Sequence, residues 1–72
     1  MEQLSINLLF PVLNERLRLE RGIENCMAYL KENITIPYQL TILDNGSEDE
    51  TPEIGKRLEE KYQEVTYVRV GE

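Results

Sequence analysis

The stretch Leu4-Ser5-Ile6-Asn7-Leu8-Leu9-Phe10 is apolar except at Ser5 and Asn7. A nearly continuous apolar run of this length predicts a strand over about 4–10, covered on both faces as in parallel sheets. Beyond Pro11 the period changes. Leu19, Ile23, Cys26, Met27 and Leu30 recur at helical spacing, while Arg16, Arg18, Glu20, Arg21, Glu24, Lys31 and Glu32 fall largely elsewhere on the circumference. That pattern predicts a helix over about 15–33 with Asn14 as its N-cap. Gly22 lies inside it at a cost of about 1 kcal/mol against Ala, which close packing of helix on sheet would explain. Ile34 to Pro37 ends the helix, and Tyr38 to Leu43 reads as a second strand. The segment Asp44 to Glu50 has no apolar residue. Thr51 is suited to N-cap a second helix over about 52–63, with Pro52 at its first position and Glu53 in its first turn. Ile54, Leu58 and Tyr62 mark its buried face, and Val65 to Val70 reads as a third strand.

Strand, helix, strand, helix, strand with right-handed crossovers predicts an α/β fold. Its three-stranded parallel sheet is expected in the order 3-2-1, half of a doubly wound, Rossmann-like domain occupying residues 1–72. No repeat or linker divides the chain. At 72 residues one small domain is possible, and it buries only about 60% of its unfolded surface.

Composition narrows the chemistry. The chain is 40% hydrophobic and 31% charged, as expected of a folded domain, and its net charge is −6 with eight dispersed Lys and Arg. No basic stripe is present to neutralise phosphates along a nucleic acid, so DNA and RNA are not expected partners. Cys26 is the only cysteine and there is no histidine. An intrachain disulfide, a zinc site and His-based acid–base or triad chemistry are thereby excluded within these residues. The first residues lack the basic region of a signal peptide, and no apolar run approaches the roughly 18 residues of a membrane span. A soluble, cytoplasmic protein is expected. Asn33-Ile34-Thr35 and Asn45-Gly46-Ser47 match the glycosylation acceptor pattern, which is short enough to arise by chance.

The candidate chemistry sits at two strand-to-helix corners. Asp44-Asn45-Gly46-Ser47-Glu48-Asp49-Glu50-Thr51 follows the second strand, and Phe10-Pro11-Val12-Leu13-Asn14-Glu15 has the same position one unit earlier. In open α/β sheets, ligands bind in the crevice outside the carboxyl ends of the strands. Two adjacent corners would aim their polar groups at one crevice, as in a nucleotide site.

Both segments resemble family 2 glycosyltransferases of the GT-A fold. Pro11-Val12-Leu13-Asn14-Glu15 is similar to that family's Pro-Val-Tyr-Asn-Glu segment. Leu43-Asp44-Asn45-Gly46-Ser47-Glu48-Asp49-Glu50-Thr51-Pro52 is similar to its Val-Asp-Asp/Asn-Gly-Ser-Thr-Asp-Gly-Thr segment, and the likeness runs from about Ser5 to Val70. The resemblance implies a nucleotide-sugar-binding part of an enzyme of the hexosyltransferase class, which transfers sugar from a UDP- or GDP-linked donor to an acceptor. Asp44 would accept a hydrogen bond from the base, since uracil and guanine offer ring N–H donors and a carboxylate only accepts. Pro11, Val12 and Glu15 would contact base and ribose. Leu13 stands where the family has an aromatic residue, so it would offer the base an aliphatic contact. Gly46 would permit the tight turn, and Ser47 would hydrogen-bond within it. Mg²⁺ or Mn²⁺ is implied for a full-length parent, on an Asp-x-Asp segment that, like the catalytic base, lies beyond a fourth strand. No catalysis is therefore expected from these residues alone, and no catalytic or metal residue is assigned among them.

Each feature also has a plainer reading. Asp44 could close a turn through its own hydrogen bond, Asn14 could be a cap, and Glu15 could complement a helix dipole. Glu48-Asp49-Glu50 superficially resembles a metal cluster, but consecutive loop carboxylates do not converge on one ion, and a solvated loop is expected. The tyrosines read as packing residues and Cys26 as a buried thiol. A different functional class is also open: a non-catalytic βαβ module that self-associates as a homo-oligomer through the unpaired edge of its first strand.

Overall fold

A computed structural model describes residues 4–70; the ends of the expected 1–72 domain, residues 1–3 and 71–72, lie outside the described residues. The elements are β1 (Ile6–Val12), α1 (Leu19–Asn33), β2 (Tyr38–Asp44), α2 (Thr51–Lys61) and β3 (Val65–Arg69). The strands are parallel in the order β1-β2-β3, with β2 central. This α/β arrangement is compatible with half of a Rossmann-like domain. Among the described residues no helix is long and apolar enough to cross a membrane.

β1 begins and ends two residues later than the apolar run suggests. Ile6 donates its N–H to Pro37 and Val12 accepts from Asn45, so the even residues of β1 bond to β2 and the odd ones face the open edge. Pro11, an odd residue, sits where its missing N–H has no partner to lose, which is why the strand runs through it.

Among the described residues only one face of the first strand is covered, not both as expected. Side chains alternate between half-buried and exposed along β1, and Leu9 is 68% exposed. Leu40 and Ile42 of β2 are fully buried on the helix side, against Leu19, Ile23, Met27 and Leu30 of α1 and Leu58 of α2. The core is thus one layer, between the helices and one face of the sheet. Glu20 with Arg57 (2.9 Å) and Glu24 with Lys61 (2.6 Å) tie α1 to α2 from outside; both pairs are solvated and weakened by salt.

Both helix starts also differ from expectation. α1 begins at Leu19 with Arg18 at its N-cap position and no side-chain cap. Asn14 adopts a left-handed backbone (φ 52°) and is no cap. A turn closed by hydrogen bonds from the N–H groups of Arg18 and Leu19 to the Glu15 carbonyl separates it from the helix. In α2, Thr51 is the first helical residue rather than the cap, and Asp49 accepts its N–H at 2.8 Å. The helix stops at Lys61 because Tyr62 is extended (φ −119°).

Candidate functional site

Register brings the two corners together. Pro11 pairs with Leu43 and Val12 with Asp44, so both strands end level and their loops leave the sheet side by side. The Asn45 N–H bonds to the Val12 carbonyl at 3.0 Å, extending the ladder past the strand ends.

Short polar side chains then stitch one loop to the other. The Asn14 N–H donates to Ser47 Oγ (2.8 Å), and the Glu48 N–H donates to Asn14 Oδ1 (2.8 Å). The Glu15 N–H donates to Thr51 Oγ1 (2.9 Å), and the Arg16 N–H donates to Asp49 Oδ2 (3.3 Å). The part-buried donors of Asn14 and Glu15 are thereby satisfied across the gap, and those of Arg16 and Glu48 bond at its exposed rim. Asn14 reaches into this lattice because its left-handed backbone, which Asn tolerates better than most residues, turns the chain back toward Ser47. Gly46 takes φ 92° in the opposite loop, where a side chain would be strained. Asn14→Gly should lose only the bond to Glu48, about 1 kcal/mol, and Asn14→Ala should lose that bond and incur backbone strain, about 2 kcal/mol in all. Urea denaturation of the two variants separates these contributions.

Asp44 lies beneath the lattice with its side chain fully buried. Oδ1 accepts the Ser47 N–H (2.8 Å), Oδ2 accepts the Tyr67 hydroxyl (2.5 Å), and Arg69 Nη1 stands 3.6 Å from Oδ2. Burial pushes the carboxyl up. Hydrogen bonds from Tyr67 and Ser47 and the charge of Arg69 outweigh that and hold it below the usual carboxylate range. Tyr67 is pushed up from its ordinary value, by burial first and then by its bond to Asp44. The Asp44 carbonyl accepts from the Val70 N–H (2.7 Å), so β3 is fastened to the same corner.

The residues singled out in the sequence therefore share one end of the sheet but differ in access. Pro11, Leu13 and, in part, Glu15 and Gly46 are open to solvent, with Leu13 at 53%. Val12 belongs to the core, and Asp44 and Ser47 are sealed. Glu15 turns its carboxylate to Arg18 at 2.9 Å. Exposed Asn45 was passed over in the sequence, although it stands directly after Asp44 with an amide that both donates and accepts. Tyr67 and Arg69 were missed as well. The available signal was parity: Val65, Tyr67 and Arg69 alternate on one face of a strand, and a half-buried tyrosine hydroxyl needs a partner.

Two of the three loop carboxylates, Asp49 and Glu50, are engaged within the chain. Desolvation pushes Asp49 up, but hydrogen bonds from Thr51, the Arg16 N–H and the Arg16 charge together hold it below its usual range. Glu50 faces the Arg16 guanidinium at 3.5 Å. Among the described residues no group of three His, Cys, Asp or Glu is placed to hold a metal ion. A hollow of about 320 Å³ between Met27, Lys31, Tyr38 and Tyr62 lies at the amino-terminal end of the strands, away from both corners.

No curated protein matches the chain. The family model of glycosyl transferase family 2 matches residues 8–72, a span that takes in both corners and every element except the first two residues of β1. With that match over most of its length, and with its two motif segments meeting at one end of a parallel sheet, the chain belongs to glycosyl transferase family 2.

Proposed function

We propose that the shelf over the carboxyl ends of β1 and β2 receives the nucleotide part of a UDP- or GDP-linked sugar. The observation that carries this reading is the lattice joining the two corners. It fixes exposed Pro11 and Leu13, on either side of buried Val12, beside Asn45 and Gly46, at the position where open α/β sheets take ligands. Family membership supplies the class of ligand. The base lies against Leu13, Asn45 offers it a donor and an acceptor, and Glu15 accepts from ribose hydroxyls after releasing Arg18.

Asp44 and Ser47 act from beneath in this reading. Direct contact between Asp44 and a base, the role expected from the sequence, would require the base N–H to displace the Tyr67 hydroxyl from Oδ2. Asp44 instead holds the Gly46–Ser47 turn so that Asn45 projects outward. The role proposed for these residues is recognition rather than transfer. Mg²⁺ or Mn²⁺, implied for a complete enzyme, does not fit the described residues, because Asp49 and Glu50 are already engaged. No step is routed through a metal.

Titration with UDP and GDP, followed by amide chemical shifts, tests the reading. Shifts are expected at Leu13, Asn45 and Gly46 and not at Met27 or Tyr62 around the distant hollow. Asn45→Ala should weaken binding about tenfold, the worth of about 1.4 kcal/mol, without changing stability, since the side chain is exposed. Absence of shifts with either nucleotide at millimolar concentration would sink it.

A further inference from the structure

The chain has five asparagines, Asn7, Asn14, Asn25, Asn33 and Asn45. They differ in what holds the peptide nitrogen that follows each. Leu8, after Asn7, is an even residue of β1 and bonds to β2. The Glu15 N–H donates to Thr51 Oγ1 at 2.9 Å, and the Ile34 N–H donates to the Leu30 carbonyl at 2.9 Å. Cys26 lies within α1, where its N–H bonds to the preceding turn. The nitrogen after Asn45, that of Gly46, has no acceptor among the described residues. Its neighbours are both engaged, the Asn45 N–H by the Val12 carbonyl at 3.0 Å and the Ser47 N–H by Asp44 Oδ1 at 2.8 Å. Asn45 is exposed, and its side-chain amide is unbonded among the described residues, whereas Asn14 Oδ1 accepts from Glu48 and Asn33 Nδ2 donates to the Tyr29 carbonyl. Gly46 has no Cβ to crowd the approach to its nitrogen, while Leu8, Glu15, Cys26 and Ile34 all do. A free amide, a free nitrogen and an unhindered neighbour thus coincide at one asparagine. It follows β2, the central strand, with β1 and β3 both in place beside it.

We propose that Asn45-Gly46 is a self-modification site: the Asn45 amide closes on the Gly46 nitrogen to a cyclic imide, which opens to aspartate and isoaspartate, and the isoaspartyl form loosens the corner. In the first step the Gly46 nitrogen gives its proton to solvent and forms a bond to Asn45 Cγ. The Cγ–Nδ2 bond breaks, and Nδ2 leaves with a proton from solvent as ammonia. Water then adds to the imide. Rupture of the bond between Gly46 N and Cγ leaves aspartate. Rupture of the bond to the Asn45 backbone carbonyl carbon leaves isoaspartate, whose main chain runs through Cβ and Cγ and is longer by one methylene. The added methylene falls between two fixed points, the Asn45 N–H on Val12 and the Ser47 N–H on Asp44, so the turn no longer closes on the Asp44 carboxylate. Ser47 Oγ also accepts the Asn14 N–H at 2.8 Å, which carries the disturbance to the first corner. The aspartyl product keeps the original main chain, and its carboxylate is at an exposed position where substitutions cost little.

Incubation of the whole chain for days in warm, mildly alkaline buffer tests this, with peptide mass mapping to find where NH2 has been replaced by OH, a gain of about 1 Da. Conversion at Asn45 should exceed that at Asn7, Asn14, Asn25 and Asn33 by at least about tenfold, and its rate in the folded chain should lie within about tenfold of its rate in urea. The acid fraction, isolated by anion exchange and shown to be isoaspartyl by labelling with an isoaspartyl methyltransferase, should unfold at lower urea concentration than the starting chain. Asn45→Asp should unfold with the starting chain. Asn45→Gln, whose amide could close only a less accessible six-membered ring, should keep both its stability and its mass. Conversion spread evenly over the asparagines overturns the proposal. So does conversion in urea that falls more than about tenfold on folding, because the fold would then hold the Gly46 nitrogen away from Cγ. An isoaspartyl fraction as stable as Asn45→Asp overturns the loosening of the corner.

Discussion

Asp44→Ala should cost about 3 kcal/mol of folding stability, a large share of the roughly 4–11 kcal/mol expected for a chain of this length. The carboxylate is fully buried, yet both oxygens are used, by Ser47, Tyr67 and Arg69. Its removal leaves the Tyr67 hydroxyl without its acceptor and the Gly46–Ser47 turn without its closing bond, and charge-assisted bonds of this kind exceed neutral ones. Arg69 is half-exposed and contributes less, since water screens it. The pH dependence has a definite sign. The carboxyl titrates below its ordinary 3.8 in the folded chain, so the native state binds its proton less readily than the unfolded state does. The associated stability is fully present above about pH 4 and is lost as pH falls through the depressed folded value. Asp44→Asn should therefore flatten the acid limb of a stability–pH profile from urea denaturation. Asp49 is lowered too, so some acid dependence remains in this variant. A variant with the wild-type acid limb would show that Asp44 is not held by the partners described here.

The same carboxylate shows what a sequence of this kind discloses and what it withholds. Alternation of strand and helix periods was legible from Leu8, Ile42, Val65 and the stripe Leu19–Ile23–Leu30, because burial on one side imposes period on each element separately. Adjacency of the corners was also legible, since short right-handed crossovers leave little choice of neighbours. Helix starts were not legible. Asn14 and Thr51 have the chemistry of caps, but each spends its side chain on the other corner, a tertiary use that outweighs local preference. The one-sided cover of the sheet was hidden because Leu9 and Pro11 are as apolar as the buried Leu40 and Ile42. Asp44 was visible as a candidate, but its partner Tyr67 lies 23 residues away, and nothing local couples the two.

Gly55→Ala should be strongly unfavourable, against the gain of about 1 kcal/mol that the exchange normally brings inside a helix. A Cβ at Gly55 would lie 2.3 Å from Tyr67 Cδ1 and 2.8 Å from Cε1, inside any permitted contact, so the ring must move. It cannot move freely, because its hydroxyl is bonded to Asp44 at 2.5 Å and its ring lies between α2 and the sheet. The net loss should be about 2 kcal/mol, the usual size for overpacking a core, with weakening of the Asp44 corner as its structural trace. Gly22→Ala provides the contrast: its Cβ would approach only the tip of Phe10, at 3.3 Å, a partly buried ring that can yield, and the change should fall within about 0.5 kcal/mol. The decisive measurement is a double-mutant cycle. In a Tyr67→Ala background the obstruction is gone, and Gly55→Ala should become stabilising by about 1 kcal/mol, for a coupling of about 3 kcal/mol between the two positions. If Gly55→Ala is equally harmful with and without the ring, then Tyr67 is not what excludes a side chain there. The path from α2 through Tyr67 to Asp44, by which the helix sets the geometry of the corner, would then be broken at its first link.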